Sequence, residues 1–373
     1  MLATSVKVAV IPLVAADLKV MKMALAKAGA IFLPRIVCMK RGAIIWILAI
    51  TLTACGAPQK SVTVKEPVEP KNITIAFGGD THGVAQISKY LERQGNPFSG
   101  VAKLLTDADI SVINLESAVT TQTEHQEKQY FFNSNPLILD QAAASGVDIV
   151  NLGNNHAGDY FRNGLSDSIK AAEAAGLKVI GAGNSGREAW TSKIVNVRGT
   201  KVAFLGIAKI NSGVVTTASG ELAGTTDGWN NQVIELAIKA AARQAKIVIV
   251  YTHWGVEEKY CPENSEVTAA KNWLDWGATA IIGSHPHRQQ PAVRYGEKIV
   301  DYSLGNLIFY TASGAGLDSG IGYLTLSPEG KALSYKFYPA KIDPQTGSPI
   351  LLSGAGKEAA IAKKQRFCKS LNS

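Results

Sequence analysis

Five of the chain's six histidines, His82, His156, His253, His285 and His287, follow short apolar runs of strand type. Asp80, Glu116 and Asn155 stand at equivalent places just past such runs. Imidazole and carboxylate with a single amide form a donor set suited to borderline divalent ions such as Mn²⁺, Fe²⁺, Co²⁺ or Zn²⁺. The densest stretch is Ala278–His287, an apolar run that stops at Gly283 and then offers two imidazoles separated by one proline. A buried strand that delivers His-x-His at its mouth is a common way to build a metal site. No pair of cysteines has coordinating spacing, which argues against a structural zinc site. His125 lies in a polar loop and reads as exposed.

Those residues need elements that carry them to one place. From Asn72 the pattern repeats as strand, loop and helix, which predicts an α/β layer architecture. Strands are predicted at Ile73–Phe77, Asp109–Asn114, Val147–Leu152, Lys246–Tyr251, Ala278–Gly283 and Lys298–Tyr302. Helices are predicted near Gln86–Arg93, Phe98–Thr106, Pro136–Ser145, Gly164–Ala175, Trp229–Ala245 and Val267–Trp276. Two hairpins are expected, one around Gly199-Thr200 and one joining Gly322–Ser327 to Leu333–Pro339. Each candidate donor then sits at the carboxyl end of a strand, where the sites of α/β proteins gather. Gly153, Gly283 and Gly305 read as turn glycines that let backbone pass close to the site. Trp254 reads as core. Arg288 suits either an anionic substrate or a solvated loop. The Gly181–Gly186 stretch lacks the Lys-Ser/Thr of a phosphate loop and reads as a plain loop.

The 373 residues are 46% hydrophobic and 18% charged, enough to bury a large core and unlike a disordered chain. The net charge of +8 would invite a nucleic-acid reading, but its distribution does not. Residues 1–55 carry seven Lys and Arg against Asp17 alone; the remainder holds 31 basic and 29 acidic residues. A polyanion-binding surface is therefore not implied, and no nucleic-acid partner is expected.

Met39-Lys40-Arg41 opens a charged segment, and the apolar run Gly42–Leu52 after it is too short to span a bilayer. Leu52-Thr53-Ala54-Cys55 resembles the lipobox of bacterial lipoproteins, so residues 39–55 read as a signal peptide with Cys55 lipidated. Residues 1–38 read as an upstream extension or an over-long start. Residues 56–71 carry three prolines and read as a tether. The expected location is outside the cytoplasm, anchored to a bacterial membrane by lipid. One domain is expected over 72–342, followed by a less patterned tail, 343–373. Cys261 and Cys368 could pair in an exported setting, and the sequence leaves that open.

The ordered set resembles the calcineurin-like metallophosphoesterases: Asp-x-His after a first strand, an acid after the second, Asn-His after the third, a lone His, then Gly-x-His-x-His. The wording is closer to the bacterial capsule-synthesis (CapA-like, poly-γ-glutamate) family. Its pieces are similar to Gly79-Asp80, Asn114-Leu115-Glu116, Asn154-Asn155-His156, His253-Trp254-Gly255, Gly283–His287 and Ser303–Asn306, across roughly residues 72–310. The resemblance implies a four-layer α/β/β/α sandwich of two mixed sheets. It also implies two divalent ions, one held by Asp80, His82, Glu116 and His287, the other by Glu116, Asn155, His253 and His285. Glu116 would bridge them, and the pair would clamp a phosphoryl group and activate a water. His156 would stay free of metal as a catalytic group, oriented by Asp159. Two positions depart from the phosphoesterase pattern: Glu116 stands where it has Asp, and Ala157 where it has an acid. Metal binding is thus better supported than turnover. The implied function is extracellular polymer biosynthesis with phosphoesterase chemistry, beside a membrane polymer-synthase complex, on an anionic phosphoester or polymer. The alternatives are a general exported phosphoesterase or nucleotidase and a non-catalytic accessory subunit of a polymer synthase.

Overall fold

The computed structural model describes residues 71–210, 217–311 and 314–372. The leader, Cys55 and the tether up to residue 70 lie outside the described residues. Among the described residues no helix is long and apolar enough to cross a membrane.

The chain first lays down four parallel strands. β1 (Ile73–Thr81) passes through α1 (Gln86–Glu92) and α2 (Ala102–Thr106) to β2 (Ile110–Leu115). α3 (Leu137–Ala144) then leads to β3 (Ile149–Asn151), and α4 (Phe161–Ala174) to β4 (Lys178–Ile180). The stretch read as a plain loop instead holds β5 (Ala182–Gly183) and the Ser185 cap of α5 (Gly186–Trp190).

A second sheet follows. The hairpin β6 (Lys193–Val197) and β7 (Thr200–Ala208) forms about Gly199, as its turn residues predict. After β8 (Gly224–Thr225), which pairs with β5, come α6 (Asn231–Gln244), β9 (Ile247–His253), α7 (Asn264–Trp276) and β10 (Ala280–Ser284). β11 (Gln290–Tyr295) and β12 (Lys298–Ser303) complete it, in the order β11-β12-β10-β9-β7-β6.

The chain then returns to the first sheet. β13 (Asn306–Ile308) pairs with the end of β1, and β14 (Asp318–Leu326) and β15 (Ala332–Ile342) form the second hairpin. β16 (Pro349–Leu351) adds an edge strand and α8 (Gly354–Lys364) packs against β15. Residues after Ile342 therefore continue the domain. Cys261 and Cys368 form a disulfide, with Cα atoms 5.6 Å apart, which settles the open pairing.

Alternation along the strands makes the layers. In β2, Ile113 and Leu115 face α1–α4, while Ile110 and Val112 face the other sheet. In β9, Ile247, Ile249 and Tyr251 fill the space between sheets, while Val248 and Val250 pack on α6 and α7 with Ile234, Ile238 and Trp273. Three apolar cores separate four layers, α/β/β/α, and both sheets are mixed. The fold is the one the resemblance implies.

Two glycines bring strands into register at the site. β1 pairs with β14 as far as Gly78 and then with β13 at Asp80 and Thr81. A Cβ on Gly79 would lie 1.8 Å from Gly305 O, so only glycine lets β1 make that change of neighbour. Gly283 lies inside β10 and makes no turn; a Cβ there would meet Tyr302 O at 2.0 Å.

Candidate metal centre

The donors predicted from sequence arrive from both sheets. Asp80 is on the last turn of pleat in β1, and Glu116 follows β2 directly. Asn155 and His156 come from the loop after β3, His253 ends β9, and His285 and His287 follow β10. All but Asn155 and His287 are buried, and Asp80, Glu116 and His253 have no exposed surface.

Among the described residues, two sets of acids and histidines stand close enough to share an ion. One is Asp80, Glu116 and His287; the other is Glu116, His253 and His285. Within each set the donor atoms lie within 4.8 Å of one another, and Glu116 belongs to both. Its Oε1 is 3.3 Å from His253 Nε2 and 3.8 Å from His287 Nε2, yet neither carboxylate oxygen has a hydrogen-bond partner. His253 Nε2 also faces His285 Nδ1 at 3.2 Å and Asn155 Oδ1 at 2.7 Å. Asn155, rather than its neighbour, therefore reaches the cluster: Asn154 Oδ1 accepts from the His156 and Ala157 amides and builds the turn.

His82 lies outside both sets. Its ring is wedged among Phe309, Tyr310 and Phe132, at 4.3, 4.9 and 5.2 Å between centroids, and its buried Nε2 is unpartnered. Buried polar atoms almost always have partners, so the two bare oxygens of Glu116, which belongs to both sets, fit a site completed by a cation.

The electrostatics of the protein alone agree. Burial favours a neutral Asp80, but the hydrogen bond and charge of His287, with His253, outweigh it and lower its pKa to about 2. Burial likewise opposes charge on His287, and Glu116 and Asp80 overcome it, raising the pKa to about 10. His285 is driven well below the usual imidazole range by burial and by His253 and His287. Burial and the charge of His156 take His82 down to about 3. A neutral imidazole is the form that ligates.

Sequence reasoning passed over the amides that aim these donors. Asn114 Nδ2 lies 2.9 Å from Asp80 Oδ1 and 3.1 Å from His253 Nδ1, joining the two sheets. Its Oδ1 accepts from Asn151 and Asn154. Ser284 Oγ is 2.9 Å from His253 Nδ1, and Asn306 Oδ1 is 2.8 Å from His287 Nδ1. Partners of this kind fix ring orientation and tautomer. The signal was proximity: Asn114, Asn154, Ser284 and Asn306 all stand within the motif pieces that carry the resemblance.

His156 stands apart from the two donor sets. Its Nδ1 is 2.8 Å from Asp159 Oδ2, and Asp159 is fully buried, accepts from the Phe132 amide and pairs with Lys128. Phe132 stacks on the ring at 4.3 Å. Both His156 and His287 line a cleft of about 600 Å³, walled by Tyr130, Phe132, Phe309 and Tyr310. Arg288 also lines it, held by Glu258 at 2.7 Å and by His287 O. Trp254 is core, stacked on Trp273 and Tyr302. His125 is exposed and stacks on Phe131.

The four-layer sandwich brings carboxylates and imidazoles from the strand ends of both sheets into one cluster, which defines an α/β protein with a candidate metal centre. Residues 74–311, which include every donor named above, match the family of the bacterial capsule synthesis protein PGA_cap, and the chain belongs to that family. It is 29% identical over 321 residues to the capsule biosynthesis protein CapA of Bacillus anthracis, covering 83% of this chain and 77% of the relative. It is 28% identical to the PGA biosynthesis protein CapA of Bacillus subtilis, covering 74% of each. A Mycobacterium tuberculosis protein described as a probable polyglutamine synthesis accessory protein is 27% identical, over 54% of this chain and 56% of that protein.

Proposed function

We propose that this protein is a lipid-anchored, exported component of capsular polymer synthesis, of the poly-γ-glutamate kind, whose dinuclear metal centre hydrolyses a phosphoester. The observation that carries the reading is Glu116: a fully buried carboxylate, unsatisfied by protein, common to two donor sets. Asp80, His82, Glu116 and His287 would hold one divalent ion, and Glu116, Asn155, His253 and His285 the other. Such a pair supplies Lewis acidity toward a phosphoryl oxygen and activation of water.

The protein's own groups do the rest. Asp159 takes the hydrogen bond from His156 Nδ1–H and fixes the tautomer, leaving Nε2 to hold or deliver a proton at the leaving oxygen. Tyr130, Phe132, Phe309 and Tyr310 wall the cleft onto which His156 and His287 open. Export is supported by the Lys-Arg, apolar and lipobox order ending at Cys55 and by the Cys261–Cys368 disulfide, since lasting disulfides belong to oxidising compartments. The relatives' names support association with a polymer-synthase complex.

A screen of small phosphoesters with the purified protein, with and without added Mn²⁺, tests the chemistry. Metal-dependent hydrolysis that falls steeply in His156→Ala is expected. A protein that binds metal and turns over none of them would favour the accessory-subunit reading, which Glu116 in place of Asp and Ala157 in place of an acid also favour. Hydrolysis together with an unchanged capsule in a deletion strain would favour the general phosphoesterase. Cys55→Ala is expected to release the protein from the membrane fraction; retention there would overturn the lipid anchor.

A further inference from the structure

The family match ends at residue 311, yet a side chain beyond it reaches the framework of the metal centre. Lys364, the last residue of α8, has no exposed surface. Its ammonium makes three contacts: Gln290 O at 2.7 Å, Ser303 O at 2.8 Å and Asp301 Oδ1 at 2.8 Å. Gln290 of β11 and Ser303 of β12 are register partners, so the ammonium joins two carbonyls across that pair.

From this pin two arms of equal length run to the site. Three residues before Gln290 stands His287, and three residues after Ser303 stands Asn306. Their side chains meet in the 2.8 Å hydrogen bond between His287 Nδ1 and Asn306 Oδ1. The arms are packed together where Gly305 lies against Gln289, and Leu304 N ties the second arm to β10 by donating to Gly283 O. His287 itself has a φ of 51°, a conformation that persists in a non-glycine residue only when its surroundings impose it. The same C-terminal segment is tied down a second time by the Cys261–Cys368 disulfide, eight residues after His253 in the chain.

We infer that Lys364 is a positioning residue for the metal centre: by pinning β11 to β12 it sets His287, and therefore the ion shared by Asp80, Glu116 and His287, while leaving the His253–His285 side alone. This deepens the dinuclear reading above and rests on it.

The test compares the full-length protein with Asp301→Asn/Lys364→Met, which removes both buried charges together so that neither is left unpaired. Mn²⁺ titrations followed by calorimetry and electron paramagnetic resonance should resolve two binding steps in the parent protein. The double variant should unfold cooperatively, keep one step unchanged and weaken the other at least tenfold, with loss of the spin-coupled signal of a close pair. Two unchanged steps would overturn the proposal, as would equal weakening of both, which marks a merely structural role. Nitrogen NMR of the metal-free, His-labelled proteins separates the two ideas. If the parent binds no metal, the dinuclear reading fails. The positioning claim still requires the His287 Nδ1 resonance to shift in the double variant, and an unshifted resonance contradicts it. Should that variant not fold, Cys261→Ser/Cys368→Ser loosens the same segment and is expected to weaken the same step; unchanged steps there overturn the proposal.

Discussion

Lys364 and Glu116 are equally buried, but the protein treats their charges in opposite ways. The three ammonium protons of Lys364 meet three oxygens, and the second oxygen of its partner Asp301 accepts from Tyr335. That knot is complete with protein atoms alone. Glu116 keeps both carboxylate oxygens without a hydrogen bond, although it belongs to two donor sets. Burial of charge therefore does not by itself mark a functional site; what singles out Glu116 is that its bare oxygens are shared by two donor sets. The first cluster holds the strands, and the second gathers donors of metal-ligand type.

The contrast can be broken by substitution. Glu116→Gln should abolish binding at both sites and cut phosphoester turnover by about a thousandfold or more, as loss of a shared ligand requires. In the metal-free protein the same change should alter thermal stability only slightly at neutral pH, because removing a buried carboxylate without a hydrogen bond offsets the loss of the charge that favours protonated His287. Calorimetric melting checks this, and a fall in Tm as large as that of Lys364→Met would show that Glu116 is structural. Lys364→Met should behave in the opposite manner, costing about 3–5 kcal/mol in denaturant unfolding by stranding Asp301. The Asp301→Asn/Lys364→Met pair should recover most of that loss; no recovery would mean that the ammonium's hydrogen bonds to Gln290 O and Ser303 O, rather than the charge pair, matter.

How legible these two clusters are in the sequence differs for a physical reason. Asp80, His82, Glu116, Asn155, His156, His253, His285 and His287 each sit at the end of a local apolar run, and strand ends in an α/β fold converge. Local pattern thus foretells a distant assembly. The layers were legible because period-two alternation in β2, β9 and β10 sorts side chains between cores. Lys364 carries no such mark, since a lysine near a helix end is normally solvated and its partners lie 61 to 74 residues away in sequence. The disulfide spans 107 residues and is likewise invisible until the fold is known. β16 and α8 were missed because a three-residue edge strand and an Ala-Lys helix with one buried side chain show little apolar period.

Smaller effects sharpen the division inside the centre itself. His156→Ala should lower kcat by about a hundredfold or more while metal content stays at the parent value. Loss of metal along with activity would move His156 into the donor set. Protonation gives a further distinction. In metal-free protein His287 is raised from 6.5 to about 10, so its stabilisation is fully present below 6.5 and is lost as pH climbs through 10. Asp80 is lowered from 3.8 to about 2, so its contribution is present above 3.8 and is lost as pH falls through 2. His82 and His285, whose depressed values withdraw stability as pH falls below 6.5, set the other side, so the metal-free protein should be most stable near pH 6.5. At neutral pH His287 then carries a proton that a cation must displace, whereas His285 is already neutral. Binding enthalpies in buffers of different ionisation heat should reveal about one proton released per chain. Enthalpies independent of buffer would contradict the assignment of His287 as a ligand.

The central claim, that Glu116 joins two donor sets into one dinuclear centre, is tested most directly by counting ions. Elemental analysis of the purified protein after equilibration with Mn²⁺ should find two ions per chain. Glu116→Gln should lose both under the same conditions. Fewer than one ion per chain in the parent protein, or an unaltered count in the variant, would contradict the account.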